Sequence, residues 1–86
     1  MTDHRPTARD DLEVYEADDG LLVYDLQRDR AHHLNPTAAI VFSLCTGDVD
    51  PQTMAGHLAT TFGLDEPPLA EVDECLATLR EEGLVV

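Results

Sequence analysis

The spacing of apolar residues changes at Asn35-Pro36, and this change restricts the chain to folds in which strands precede helices. Before it, segments such as residues 12–16 (LEVYE) alternate apolar and polar side chains, which is typical of half-buried strands. After it, apolar residues recur at three- and four-residue spacing, which is typical of helices that bury one face. The order of the two patterns predicts an α+β domain whose sheet comes first.

Three short strands are expected within the first 34 residues. The first covers residues 12–16, and Asp18-Asp19-Gly20 supplies a turn because glycine adopts positive φ without steric cost. The second covers residues 21–26, and a polar connection leads to a third at residues 31–34. Residues 1–11 show no apolar periodicity, so they are expected to form a flexible tail before a domain at residues 12–86.

Three helices are expected to follow the sheet. Asn35-Pro36 and Asp50-Pro51 each place a capping side chain before a proline that suits the first helical position. The third helix is expected to begin near Pro67-Pro68, with Asp65 or Glu66 near its cap. Glycines that favour a left-handed C-terminal conformation are expected to end the helices, namely Gly47, Gly63 and Gly83.

Three strands followed by three helices match a winged helix-turn-helix architecture, with a three-stranded antiparallel sheet ahead of a three-helix bundle. An apolar stripe on the third helix points to its buried face, and it consists of Leu69, Val72, Leu76 and Leu79. Most of the core is expected to come from Tyr24, Leu34, Phe42, Leu58, Phe62, Val72, Leu76 and Leu79. The architecture alone does not determine the function.

The charge of the chain argues against two classes of partner. Against 18 acidic residues there are 5 basic ones, all arginine, and the net charge is −13. Nucleic-acid binding draws most of its affinity from Lys and Arg, and anionic membranes attract polybasic clusters, so neither partner is expected. No apolar run approaches the roughly 18–20 residues that span a bilayer. With only two cysteines, a reducing, cytoplasmic location is expected.

Residue types that support catalysis and metal binding are present, but their spacing suits neither. His32 and His33 are neighbours in a strand, so their side chains point to opposite faces and cannot hold one ion together. Cys45 and Cys75 do not form a C-x-x-C pair. Acidic neighbours of Cys75 would raise the pKa of its thiol, which opposes a nucleophilic role. We therefore expect no metal, no cofactor and no catalytic residues.

Two features point to a groove for an extended peptide. The strand at residues 31–34 comes last in the meander, so one of its edges is free unless a later strand covers it. A peptide can add to such an edge through main-chain hydrogen bonds. Beside the core stripe of the third helix runs a partly polar track of Glu71, Cys75, Thr78 and Glu82. From its spacing alone, an ordinary solvated flank is the simpler interpretation of this track.

Several segments, taken in their order and spacing, resemble a known family. They are Leu22-Val23-Tyr24-Asp25, the block AHHLNPTAA at residues 31–39, Gly47, and the closing LREEGL at residues 79–84. Together they resemble PqqD-like domains, which are named after the peptide chaperone of pyrroloquinoline quinone biosynthesis. Such domains are also called recognition elements for RiPPs, the ribosomally synthesised and post-translationally modified peptides. The resemblance covers about residues 12–86, and its most specific element is His-Leu-Asn-x-Thr-Ala.

This resemblance implies a non-catalytic domain that binds the leader segment of a precursor peptide and presents it to a modifying enzyme or a leader peptidase. In the family, the leader pairs as an added strand beside the third strand and lies against the third helix. The peptide-binding residues implied for this chain are Arg30, Ala31, His32, His33, Leu34, Glu71, Val72, Glu74, Cys75, Thr78, Leu79 and Glu82.

Three questions stay open at the level of sequence. Glu71, Glu74 and Glu82 would favour a leader with a Lys or Arg, but the same acidity would serve solubility alone. An uncovered edge strand can also pair with a second copy, which makes a homodimer an alternative. Finally, the domain suits a winged-helix protein-interaction regulator, of an antirepressor-like kind, with no role in peptide maturation.

Overall fold

The computed structural model describes residues 5–86 and shows three antiparallel strands followed by three helices, as the sequence predicts. The strands are β1 (Glu13–Ala17), β2 (Gly20–Asp25) and β3 (Arg30–Leu34). The helices are α1 (Pro36–Ser43), α2 (Pro51–Phe62) and α3 (Leu69–Glu81). Across the described part of the chain, no helix is long and apolar enough to cross a membrane.

The sheet has the order β1-β2-β3, so β2 is central and β3 lies at an edge. Val23 of β2 stands opposite His32, and Leu21 stands opposite Leu34. Val23 and Leu34 are buried in a core shared with the three helices, because alternate side chains of each strand face the same side. No other strand of residues 5–86 pairs with the outer edge of β3.

Local capping signals explain where the first two helices begin. The Asn35 side chain accepts a hydrogen bond from the Ala38 backbone N–H at 2.8 Å, and the Asp50 side chain accepts one from the Thr53 N–H at 2.7 Å. Each cap satisfies an N–H that has no partner inside its helix. The helix α2 ends as predicted, with Gly63 in the left-handed conformation (φ 66°).

Two helix boundaries differ from the sequence-based expectation. The helix α1 ends at Ser43 with Leu44 as its C-cap, whereas Gly47 lies in the following loop and donates its N–H to the Pro6 carbonyl oxygen at 3.0 Å. The helix α3 has Pro68 as its N-cap and no side-chain cap, so neither Asp65 nor Glu66 serves as one. Contacts with the N-terminal segment account for the position of Gly47, and the local sequence does not encode them.

The expected core is correct except at Tyr24 and Phe62, and the expected buried stripe of α3 is correct except at Leu69. Leu34, Phe42, Leu58, Val72, Leu76 and Leu79 are buried. Tyr24 is exposed because Val23 and Asp25 point to the helices and Tyr24 therefore points away, where it packs edge-on against Tyr15 with ring centroids 5.8 Å apart. Phe62 and Leu69 are also exposed, because they are the last residue of α2 and the first residue of α3.

The segment at residues 6–9 is bound to the domain, although the sequence suggests a flexible tail to residue 11. The backbone N–H of Ala8 donates to the Cys45 carbonyl oxygen at 2.8 Å, and that of Arg9 donates to the Leu84 carbonyl oxygen at 3.0 Å. Val85, near the C-terminus, forms a single bridge with Ala8. Residues 1–4 of the expected tail lie outside the described residues.

A buried carboxylate joins the N-terminal segment to the sheet. Asp25 is 1 % exposed, and the Arg9 guanidinium donates to it at 2.8 Å and to the Gly83 carbonyl oxygen at 3.1 Å. The Arg28 backbone N–H donates to the same carboxylate at 3.3 Å. Asp25 is therefore paired and hydrogen-bonded, as a buried charge requires.

Acid should destabilise the domain through carboxylates whose pKa is lowered in the folded state. Hydrogen bonds from Arg9 lower the pKa of Asp25 and of Asp11, and the Thr53 backbone N–H lowers the pKa of Asp50. A carboxylate whose pKa is lower in the folded state stabilises the fold above its unfolded pKa of about 4, and this contribution is lost as the pH falls through the folded pKa. We expect the Tm, measured by circular dichroism, to be retained down to about pH 5 and to fall below about pH 4.

The acid dependence has a matched control. In Arg9→Met the Asp25 and Asp11 carboxylates lose the guanidinium that donates to both of them. The variant should therefore be less stable at pH 7, and its Tm should fall less between pH 5 and pH 3 than that of wild type. A wild-type Tm that does not change down to pH 2.5 would contradict the stabilising role of these carboxylates.

Candidate peptide-binding groove

A groove of about 460 Å³ runs between β3, the start of α1 and α3. Buried Leu34 and Leu79 reach it from the core, and half-buried Ala38 adjoins them, so its floor is apolar. The rest of its lining comes from His33, Asn35, Thr37, Glu71, Glu74, Cys75 and Thr78. One long side of the groove is thus α3, and the other is the unpaired edge of the sheet.

The groove brings together most of the side chains that the family resemblance implies. These are His33, Leu34, Glu71, Glu74, Cys75, Thr78 and Leu79. Arg30 and Ala31 lie on β3 before the lined stretch, and neither lines the groove. Val72, which the resemblance also implies, is fully buried in the core, so its side chain is absent from the groove surface.

His32 and Glu82 contact each other beyond one end of the groove. The His32 side chain is 12 % exposed, and its Nδ1 lies 3.4 Å from Glu82 Oε2. Residues two apart in a strand point to the same face, and Leu34 is buried against the helices, so His32 faces the helices as well. Neither residue lines the groove, so only two of the three glutamates expected to favour a basic leader, Glu71 and Glu74, lie in its lining.

The groove also contains residues for which the sequence pattern indicates no binding role. Asn35, Thr37 and Ala38 extend it over the first turn of α1. They lie within the His-Leu-Asn-x-Thr-Ala block, but the pattern predicts only a capping role for Asn35 and a helical conformation for the two others. The missing information is tertiary, because the first turn of α1 faces α3 only after the chain has folded.

A hydrogen bond connects the outward-facing side of β3 to the turn between β1 and β2. His33 Nε2 lies 2.9 Å from Asp19 Oδ1, and this hydrogen bond lowers the pKa of Asp19. Because His33 also lines the groove, the β1–β2 turn is connected to the wall of the groove through one side chain.

Neither cysteine has the environment of a catalytic nucleophile. Partial burial, followed by the charges of Glu71 and Glu74, raises the pKa of the Cys75 thiol. Cys45 is buried in the core, its thiol donates to the Val41 carbonyl oxygen at 3.1 Å, and burial raises its pKa to about 11. Within residues 5–86, no group of three or more His, Cys, Asp or Glu side chains is placed to hold a metal ion.

The two thiols should differ in reactivity, which makes Cys75 a reporter of the groove. We expect iodoacetamide at pH 8 to modify Cys75 slowly and Cys45 only on unfolding, since Cys45 is buried whereas Cys75 is partly exposed. Glu74→Gln should accelerate modification of Cys75, because the remaining negative charge disfavours the thiolate less. Mass spectrometry over time measures both rates.

Asp73→Asn is the control for this reactivity, because Asp73 is exposed on α3 but does not line the groove. It should leave the rate at Cys75 nearly unchanged. Modification of Cys45 as fast as that of Cys75 in the folded protein would contradict the described packing.

Comparisons with known proteins indicate the family of the chain. The family model described as Coenzyme PQQ synthesis protein D (PqqD) matches residues 20–85, which runs from the start of β2 to the C-terminal bridge. No curated protein sequence matches the chain.

Two solved structures share the fold. One, described as TbiB1 in complex with the TbiA(beta) leader peptide, is 18% identical, and the match covers 92% of this chain and 93% of that chain with a TM-score of 0.77. The other, a lasso peptide synthetase B1 complexed with the leader peptide, is 20% identical and covers 95% and 98% with a TM-score of 0.78. These similarities establish the shared architecture, and the match of the family model over most of the sequence establishes that the chain belongs to the PqqD family.

Proposed function

We propose that this domain binds the leader segment of a ribosomally made precursor peptide as a fourth strand on the free edge of β3. The observation that carries the proposal is the unpaired edge of β3 directly beside a groove with an apolar floor, in a chain of the PqqD family. Every other edge residue of an antiparallel strand directs its N–H and C=O away from its partner, so β3 offers these groups to an added strand.

Strand addition would divide the leader side chains into two sets. Alternate side chains of a strand point to opposite faces, so one set would enter the groove and the other would face solvent. Apolar side chains of the first set would lie on Leu34, Ala38 and Leu79, next to Thr78 and Cys75 on α3. Main-chain hydrogen bonds would supply sequence-independent affinity, and the groove would supply the selectivity.

The proposal also covers what the domain does with the bound leader. The two solved proteins of the same fold are described as complexes with leader peptides, which supports the same class of ligand here. The domain would act without catalysing a step itself and would present the leader to a modifying enzyme or a leader peptidase. This transfer would take place in the cytoplasm, where ribosomes release precursor peptides.

A titration tests leader binding directly. The ¹⁵N-labelled protein is titrated with the leader half of a short peptide encoded beside its gene, and the backbone amide shifts are followed. We expect saturable shifts concentrated at residues 30–38 and 71–79. No shift at high micromolar leader, or shifts confined to β1, would overturn the proposal.

A second candidate function is that of a protein-interaction regulator. The face of the sheet opposite the helices exposes the ring pair Tyr15 and Tyr24 together with Leu26, and Tyr residues are enriched at the centres of protein interfaces. This surface also suits the enzyme that would receive the leader. A leader titration without effect would favour the regulator.

A further inference from the structure

Two carboxylates on the α3 side of the groove have no side-chain partner. Within residues 5–86, Glu71 and Glu74 form no ion pair or side-chain hydrogen bond, and the groove lining contains no arginine. The arginines Arg9 and Arg28 are engaged elsewhere, at the buried carboxylate of Asp25. The groove therefore presents negative charge that nothing in the described protein neutralises.

These carboxylates stand directly beside the apolar floor. Cys75 lines the groove together with both glutamates, and the charges of both act on its thiol. Leu79 is one helical turn from Cys75, and Leu34 faces it from β3. An occupant of the groove would therefore meet an apolar surface and a pair of negative charges on the same side.

Helix stability explains the presence of Glu71 better than the presence of Glu74. Glu71 lies in the first turn of α3, where a negative charge stabilises the helix N-terminus. Glu74 lies beyond that turn and gains little from this effect. The charge of Glu74 is thus the stronger indication that the groove binds a cationic group.

We propose that the groove selects leader peptides that carry a Lys or Arg two positions from an apolar anchor, with the cation at Glu71 and Glu74 and the anchor on Leu34 and Leu79. This inference rests on the proposed function. Side chains on one face of an added strand are two residues, or about 6.6 Å, apart, so anchor and cation point into the groove together. A cation there gains charge-assisted contacts with carboxylates that are otherwise unpaired.

A peptide-display selection tests this preference even when the natural leader has not been identified. A library of random 12-residue peptides is selected on the wild-type domain, on Glu74→Gln and on Asp73→Asn. We expect wild type and Asp73→Asn to enrich Lys or Arg at a fixed spacing of two from a large apolar residue. Glu74→Gln should retain the apolar anchor and lose the basic position.

Asp73→Asn controls for the general acidity of the protein, because it removes the same charge from an exposed position outside the groove. Attraction to the net charge of −13 alone would enrich basic residues at no fixed position and equally in all three proteins, and this result would overturn the inference.

Affinity measurements on one selected peptide then show whether its Lys and Glu74 of the domain interact. Replacing its Lys by Gln should weaken binding to wild type about fivefold, the upper range for a partly exposed ion pair, and should have little effect on Glu74→Gln. The wild-type difference should shrink at 0.5 M NaCl, because salt screens the contact. Equal binding of both peptides to wild type would overturn the inference.

The outcomes separate this inference from the proposed function. Peptides selected for apolar residues alone, with amide shifts at β3, would overturn the charge preference and leave leader binding in place. Failure to select any peptide, together with a leader titration without shifts, would overturn both.

Discussion

Replacing Asp25 by Ala is expected to lower the Tm of the domain by more than about 10 °C, the largest loss of stability that we expect from one substitution outside the apolar core. The change leaves the Arg9 guanidinium without the carboxylate that it contacts at 2.8 Å, and it leaves the Arg28 backbone N–H without its acceptor. Removal of the buried partner is costly because the Arg9 side chain, only 16% exposed, then lacks part of the compensation for its desolvation. Circular dichroism over a thermal ramp measures the effect.

Asp11→Ala is the matched control, because Asp11 binds the same guanidinium at 2.7 Å but is exposed. It should lower the Tm by no more than a few degrees, since exposed ion pairs contribute little. Equal losses in the two variants would contradict the proposal that burial of Asp25 makes the network important. They would mean that Arg9 is held mainly by contacts other than this carboxylate.

Replacing Thr78 by Arg is expected to weaken leader binding about 100-fold or more while the fold is retained. Thr78 is exposed and lines the groove between Glu74 and Leu79, so a long side chain at this position would occupy the space of the leader. The new guanidinium would also lie one helical turn from Glu74 and would pair with it across that turn. Fluorescence anisotropy with a labelled leader measures the affinity.

Ala77→Arg tests the same substitution on the same helix at an exposed position outside the groove. We expect its affinity for the leader to remain within about twofold of that of wild type, because a substitution away from the contact surface changes little. If Thr78→Arg binds the leader as tightly as Ala77→Arg does, the α3 side of the proposed groove is wrong.

Local signals are sufficient to predict the order of elements. Asn35 and Asp50 cap helices through residues three positions away, and Gly63 ends α2 through its own backbone conformation. Such interactions lie within a few residues of each other, so the sequence pattern reveals them. The predicted role of Gly47 is wrong because its position depends on Pro6, which lies 41 residues earlier (47 − 6).

Burial is predictable only where the periodic pattern coincides with the packed face. Leu58, Leu76 and Leu79 lie inside their helices and are buried as expected. Phe62 continues the four-residue spacing of α2 but lies at its end, and Tyr24 lies on the uncovered face of β2. Hydrophobicity indicates that a side chain prefers burial, but the tertiary arrangement decides which faces and helix ends are covered.

The sequence predicts which residues of a single strand or helix contribute to the groove, but it does not predict the contacts between these elements. The free edge of β3 follows from the order of strands, and Cys75 and Thr78 follow from helical spacing. The contact of His32 with Glu82 depends on how β3 and α3 are aligned, and no local pattern encodes that alignment. For the same reason no sequence pattern indicates that Arg9 pairs with the buried Asp25.

Amide hydrogen exchange with and without leader tests strand addition most directly. In the free domain, the alternate amides of β3 that do not bond to β2 should exchange rapidly, because nothing in residues 5–86 pairs with that edge. With saturating leader, we predict that these same amides become protected while those of β1 do not change. Leader binding that leaves the outward amides of β3 unprotected would contradict strand addition at this edge.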